Sequence, residues 1–233
     1  MKTTFLAPML VWGVAMATGC SDTKEPDNII PPPDGTEFSQ TFVQLYLAPN
    51  NIRLTELILT AEDSDVRCIQ IAFDGEEYER ESDLFKTLSA AYGDTSYNDF
   101  LVPYSNRVLA EPIEAVAVEW AATGTADARP LTRVTRIDTA TPYDFIRNGY
   151  RWEEGTTLPE ELPVMNAHTQ YGYRPVFKPL DELAADDLTL IDYTQSYLII
   201  PAGELTDAGT LSVALIIGSQ TLTASLDLAA VLK

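Results

Sequence analysis

Histidine, cysteine and basic residues are all scarce in this 233-residue chain, and each scarcity removes a class of function. There is one histidine, His168. Zinc and most transition-metal sites draw on several histidines or on paired cysteines, so a lone imidazole with no CxxC spacing argues against them. A serine–histidine–acid triad would rest on His168 alone, and no GxSxG elbow supplies its nucleophile. Lys and Arg number 15 against 35 Asp and Glu, a formal charge of −20. Polyanion binding needs clustered cations that neutralise phosphates, so nucleic acid is not an expected partner. Peripheral attachment to anionic lipid through a basic patch is disfavoured for the same reason. Neither GxGxxG nor GxxxxGK[ST] occurs, which leaves no phosphate-cradling loop. No cofactor is expected.

Two cysteines are present, Cys20 and Cys68. Their surroundings differ. Cys68 lies in the β-prone run Arg67-Cys68-Ile69-Gln70-Ile71-Ala72-Phe73 and reads as a small, partly buried strand residue. A nucleophilic thiol would want a histidine nearby, and the only one is His168, far along the chain. Cys20 follows Ala17-Thr18-Gly19, small residues that end an apolar run from Phe5 to Ala17. That run is too short to span a bilayer but suits the core of a signal peptide behind the basic start Met1-Lys2.

Ala17-Thr18-Gly19-Cys20 resembles a lipobox, the recognition site of the lipoprotein signal peptidase. The resemblance implies cleavage before Cys20 and acylation of its thiol, with residues 1–19 as the leader. Ser21-Asp22-Thr23-Lys24-Glu25-Pro26-Asp27 then resembles the export signal of surface lipoproteins in the Bacteroidetes. Pro31-Pro32-Pro33 favours an extended polyproline spacer. Residues 20–37 therefore read as an acidic, proline-rich tether, and 38–233 as one domain. With Cys20 lipidated, Cys68 has no partner for a disulfide.

From Phe38 onward short β-prone segments alternate with turn residues. Phe42–Leu47 places Val43, Leu45 and Leu47 on one side. Leu54–Thr60 is apolar. Arg67–Phe73 puts Ile69, Ile71 and Phe73 on one face and runs into Asp74-Gly75, a type I′ hairpin signal. Ile113–Trp120 alternates through Val116, Val118 and Trp120, Val134–Thr139 more weakly, and Ser196–Ile200 stops at Pro201. Leu84, Leu88 and Ala91, bracketed by Ser82 and Gly93, predict the single short helix. Best defined is a terminal hairpin of Thr210–Ile217 and Thr221–Leu228. The connection is Gly218-Ser219 or Ser219-Gln220, which keep every residue on the same face; with the first, Leu215 faces Leu222, Val213 faces Ala224 and Leu211 faces Leu226. Ser212 and Ser225 meet on the other face, and a one-residue slip would mix the two faces.

Several short strands without alternating helices predict an all-β, antiparallel β-sandwich of immunoglobulin-like kind, with long irregular loops and at most one short helix. Residues 142–193 read as long loops with one or two short strands, since prolines and acids interrupt any period. Leu109-Ala110-Glu111-Pro112-Ile113, Tyr143-Asp144-Phe145 and Gly155-Thr156-Thr157-Leu158 are similar to a pattern in uncharacterised Bacteroidetes lipoproteins. That likeness supports a surface address and implies no chemistry.

Candidate chemistry is thin. Carboxylate pairs recur at Glu76-Glu77, Glu153-Glu154, Glu160-Glu161 and Asp186-Asp187. A glycosidase needs two acids roughly 5–10 Å apart across a sugar, which adjacency in sequence does not provide. Glu62-Asp63-Ser64-Asp65 sets Asp63 and Asp65 at alternating positions as weak calcium candidates, without the glycine and distal glutamate of an EF-hand. The richer feature is aromatic. Tyr143, Phe145, Tyr150, Trp152, His168, Tyr171, Tyr173 and Phe177 crowd the loop region among Arg147, Asn148, Arg151, Gln170 and Arg174. Rings beside such donors suit a sugar or peptide, giving Tyr143, Tyr150, Trp152, His168, Tyr171 and Tyr173 as candidate binding residues. The alternative is that the rings fold inward and pin the loops to the sandwich. The expected protein is an outer-membrane, lipid-anchored, surface-exposed and non-catalytic binding or structural module, such as one that captures a glycan or a cell-surface partner. The competing expectation is a surface hydrolase of glycans working through paired carboxylates.

Overall fold

Among the described residues ten strands form, most of them rich in β-branched and aliphatic residues: β1 (Leu45–Leu57), β2 (Val66–Glu79), β3 (Arg107–Leu109), β4 (Ile113–Ala122), β5 (Arg129–Pro130), β6 (Arg136–Thr141), β7 (Arg174–Pro179), β8 (Tyr197–Pro201), β9 (Gly209–Ile217) and β10 (Gln220–Leu228). The computed structural model describes residues 39–58, 65–98, 106–125, 127–152 and 171–230, all within one compact unit, Glu37–Lys233. The strands make two sheets, one ordered β3-β1-β2-β8-β6-β7 and the other β10-β9-β4-β5. Every pairing is antiparallel except that of β1 with β3.

The terminal hairpin has the expected register. Leu215 pairs with Leu222, Val213 with Ala224, Leu211 with Leu226 and Ser212 with Ser225. Its apolar face joins Val118 and Trp120 of β4 against Ile69, Ile71, Leu198, Ile200, Ile137 and Val176 of the larger sheet, forming the main core between the sheets. Its outer face is tied by Thr210 Oγ1 donating to Asp227 at 2.7 Å and by the Ser212 and Ser225 hydroxyls at 3.1 Å.

Asp74-Gly75 is not a hairpin turn. β2 runs straight through it, because the partner is the upstream β1: Pro49 pairs with Gly75 and Asn51 with Asp74, leaving Asn50 as a bulge. Gly75 is needed there for space, since a Cβ would collide with the Ala48 carbonyl and come within 2.7 Å of the Pro49 Cα. Asp74 instead takes a bidentate hold on Arg53, at 2.7 and 2.9 Å. The segment from Leu54 is the second half of β1 rather than a strand of its own.

The helix α1 (Asp83–Tyr92) forms where the Ser82 and Gly93 signals place it. Ser82 Oγ accepts from Phe85 N at 3.1 Å. Gly93, at φ 76°, closes the other end in a Schellman turn, with Asp94 N donating to Ser89 O at 2.8 Å. The described part of the 142–193 region holds one strand, β7, within the one or two expected there. A second helix, α2 (Tyr143–Arg147), corrects the expectation of one. At five residues it is too short to show a 3.6-residue period. 3₁₀ turns at Leu180–Glu182 and Ala185–Leu188 add further order.

The larger sheet is covered on its outward face as well. Leu45 and Leu47 point into the main core, and Tyr46 between them points the other way. There it meets Phe42, Phe85, Tyr97, Val108, Ala140, Phe145, Ile146, Tyr173 and Leu190 in a second cluster that carries both helices. Val43, expected beside Leu45, belongs to this cluster.

Cys68 faces outward too, among Tyr197 and Ile199, and is fully buried. Burial, with a smaller push from Asp138, raises its thiol to about 12, so almost no thiolate exists near neutral pH. Cys68 in the native protein should resist a thiol–disulfide reagent and react promptly in denaturant. Labelling of the native protein at the denatured rate would put the thiol at the surface.

Candidate functional site

The candidate binding residues that the structure describes gather around α2. In a helix, residues three and four apart share a face. Tyr143, Ile146 and Arg147 accordingly line a cleft against the last turn of α1, while Phe145 points into the aromatic cluster. The chain leaves α2 through Gly149 and Tyr150, both left-handed at φ 68° and 62°. A left-handed tyrosine is uncommon and costs of order 1 kcal/mol or more. Tyr150 is held there by its own amide, donating to Phe145 O at 2.8 Å, and by its hydroxyl, donating to Asp94 at 3.0 Å. This is the second helix end of its kind. In each helix the residue after the glycine turns inward, and the two residues, Asp94 and Tyr150, bond each other.

Asp94 is the anchor of that junction and went unnoticed in the sequence. It is fully buried and accepts from Phe42 N at 2.7 Å and Val43 N at 2.9 Å as well as from Tyr150. Burial raises its carboxyl above the usual range, against the opposing pull of these three donors and of Arg80. A carboxylate directly after a helix-ending glycine is the only local signal, and its partners lie some fifty residues upstream or downstream.

The rings divide into two groups. Phe145 and Tyr173 are buried against Phe42, at 5.2 and 5.9 Å between centroids. Tyr150 is half-buried against Tyr97 at 5.1 Å. These rings pin the loops inward. Trp152 and Tyr171 do the opposite: they flank Phe145 at 5.4 and 5.3 Å yet remain 36% and 65% exposed. Tyr143 is half-buried at the cleft with Arg147 over its ring at 5.9 Å. Phe177 packs elsewhere, beside Cys68, under Arg136. His168 and Gln170 lie outside the described residues, as do Cys20 and Asp63. Asp65 is exposed at the turn into β2, where its carbonyl accepts from Ala202 N.

Two of the carboxylate pairs can be placed, and in each the neighbours part company. Glu76 accepts from Tyr78 and Glu77 from Tyr193. Asp186 meets Arg147 at 3.1 Å, whereas Asp187 accepts from Arg174 at 2.9 Å, Lys178 at 2.8 Å and Ala184 N at 2.9 Å. Burial works against the Asp187 charge, but these donors prevail and hold its carboxyl below the usual range. Arg174 bridges onward to Asp144 in α2, so it braces the helix rather than facing a ligand. The pairs Glu153-Glu154 and Glu160-Glu161 are outside the described residues. Among the described residues no three His, Cys, Asp or Glu side chains come together to hold a metal, and no helix is long and apolar enough to cross a membrane. Set against known protein families, curated proteins and solved structures, the chain matches none.

Proposed function

We propose that the protein is an outer-membrane lipoprotein, acylated at Cys20 and exposed at the cell surface, that captures a glycan or a surface partner without catalysis. The observation that carries the capture is the pair Trp152 and Tyr171, exposed on either side of a buried Phe145. Rigid rings fixed on a packed support can stack on a sugar or an apolar side chain at little entropic cost. The site sits on loops held by a scaffold, the usual arrangement for binding. Supporting the non-catalytic reading, the buried acids Asp94 and Asp187 are each saturated by donors that hold the fold. An immunoglobulin-like relationship for the sandwich belongs to the same proposal. Its support is two antiparallel sheets around one core, and the parallel β1–β3 pair departs from it.

The test has two arms. Replacing Cys20 with Ala should abolish incorporation of labelled fatty acid and release the protein from membranes. Replacing Tyr171 or Trp152 with Ala should weaken retention on an array of bacterial and host glycans and surface proteins while leaving Tm nearly unchanged. Unaltered lipid labelling would defeat the anchor. Unaltered retention, or unfolding by Tyr171→Ala, would defeat the capture site.

A further inference from the structure

We infer that the cleft between α2 and the last turn of α1 is a second binding site, and that it takes an uncharged saccharide unit. It has a volume of about 390 Å3, within the roughly 300–1,000 Å3 range of small-ligand sites. One wall is the end of α1. The Schellman turn there uses the Ser89 and Ala90 carbonyls. Among the described residues nothing donates to the carbonyls of Ala91, Tyr92 and Gly93, so this helix end presents acceptors. Another side is lined by Arg147, whose guanidinium is engaged by Asp186 and by the Tyr143 hydroxyl and keeps further N–H groups to give. Between them the half-buried Tyr143 supplies an aromatic surface.

Acceptors on one side, donors on the other and a ring between match a group whose hydroxyls both donate and accept. Charge decides among the candidates. An anion would meet bare carbonyls, the C-terminal end of the α1 dipole, and a chain of formal charge −20. A cation would meet the guanidinium of Arg147. A neutral polyhydroxyl ring offends neither wall. Trp152 and Tyr171 lie against Phe145, and none of the three lines the cleft, so this site does not depend on the aromatic pair.

The probes are methyl glucoside, methyl galactoside, N-acetylglucosamine and glucuronate, titrated into the 15N-labelled full chain. At least one of the three neutral sugars should give saturable shifts at the Gly93 amide and the Arg147 Nε, with glucuronate giving weaker ones. Ala91→Trp fills the cleft from an exposed helix position and should abolish those shifts with Tm unchanged. Tyr171→Ala should leave them intact, which separates this site from the aromatic pair. No shift with any neutral sugar, stronger shifts with glucuronate, or shifts that persist in a folded Ala91→Trp protein would each overturn the inference.

Discussion

Val213→Asp is expected to cost roughly 4 kcal/mol or more, enough to unfold much of the population, while Ser212→Asp costs about 1 kcal/mol at most. The two residues are neighbours on β9 and differ only in the face they present. Val213 is 1% exposed in the core between the sheets, where a carboxylate would have no counter-charge. Ser212 is on the outer face, opposite Ser225 and next to Glu119 of β4. A new aspartate there suffers only a screened cross-strand repulsion from Glu119. Denaturant unfolding followed by circular dichroism measures both. Equal losses would mean that the hairpin faces have been assigned wrongly.

Asp94→Ala should be comparably severe, at about 4 kcal/mol, though it removes no apolar surface of note. It orphans two buried amides, those of Phe42 and Val43, each worth roughly 1–3 kcal/mol when left unsatisfied, and it removes the acceptor of the Tyr150 hydroxyl. The same loss withdraws support from the left-handed Tyr150. The pH dependence has a definite sign. The folded pKa of Asp94 is raised above the unfolded value of about 3.9, so the folded state binds the proton more tightly. Its contribution is then full below about pH 4 and declines as pH rises through the raised value. The stability gap between the parent and Asp94→Asn should therefore narrow as pH rises. Asp187, held low, behaves oppositely: its contribution is present above about pH 4 and is lost on acidification. A gap for Asp94→Asn that widens with pH would refute the raised carboxyl.

How much of this was legible depended on how local the deciding physics was. The β9–β10 register followed from period-two alternation about a two-residue turn, and the α1 bounds followed from Ser82 and Gly93. Asp74-Gly75 misled because a turn dipeptide specifies a hairpin only when its own flanks pair, and here the partner of β2 lies before it in the chain. The alternation of Phe42–Leu47 showed one apolar side only, and nothing local announced the second cluster that buries Phe42, Val43 and Tyr46. The crowding of rings near α2 was visible. Which of them are exposed was not, because that depends on the phase of a five-residue helix and on the left-handed step at Gly149 and Tyr150. Arg174 read as a possible ligand donor, but it is spent on Asp144 and Asp187, and only the folded chain brings these acids to it.

The order of strands in the larger sheet has a kinetic consequence. β2 is central, and on one side it pairs with β1 as soon as both exist; on the other it waits for β8, which is made late. β6 likewise has no bridge to β2 until β8 lies between them. Such non-local closure carries a large loop-entropy cost before any ladder rewards it, so folding is slow compared with that of a helical chain of this size. On the proposed export route that delay is useful. A chain that cannot complete its main sheet before β8 emerges remains threadable through a translocon, and it folds once the last third has crossed.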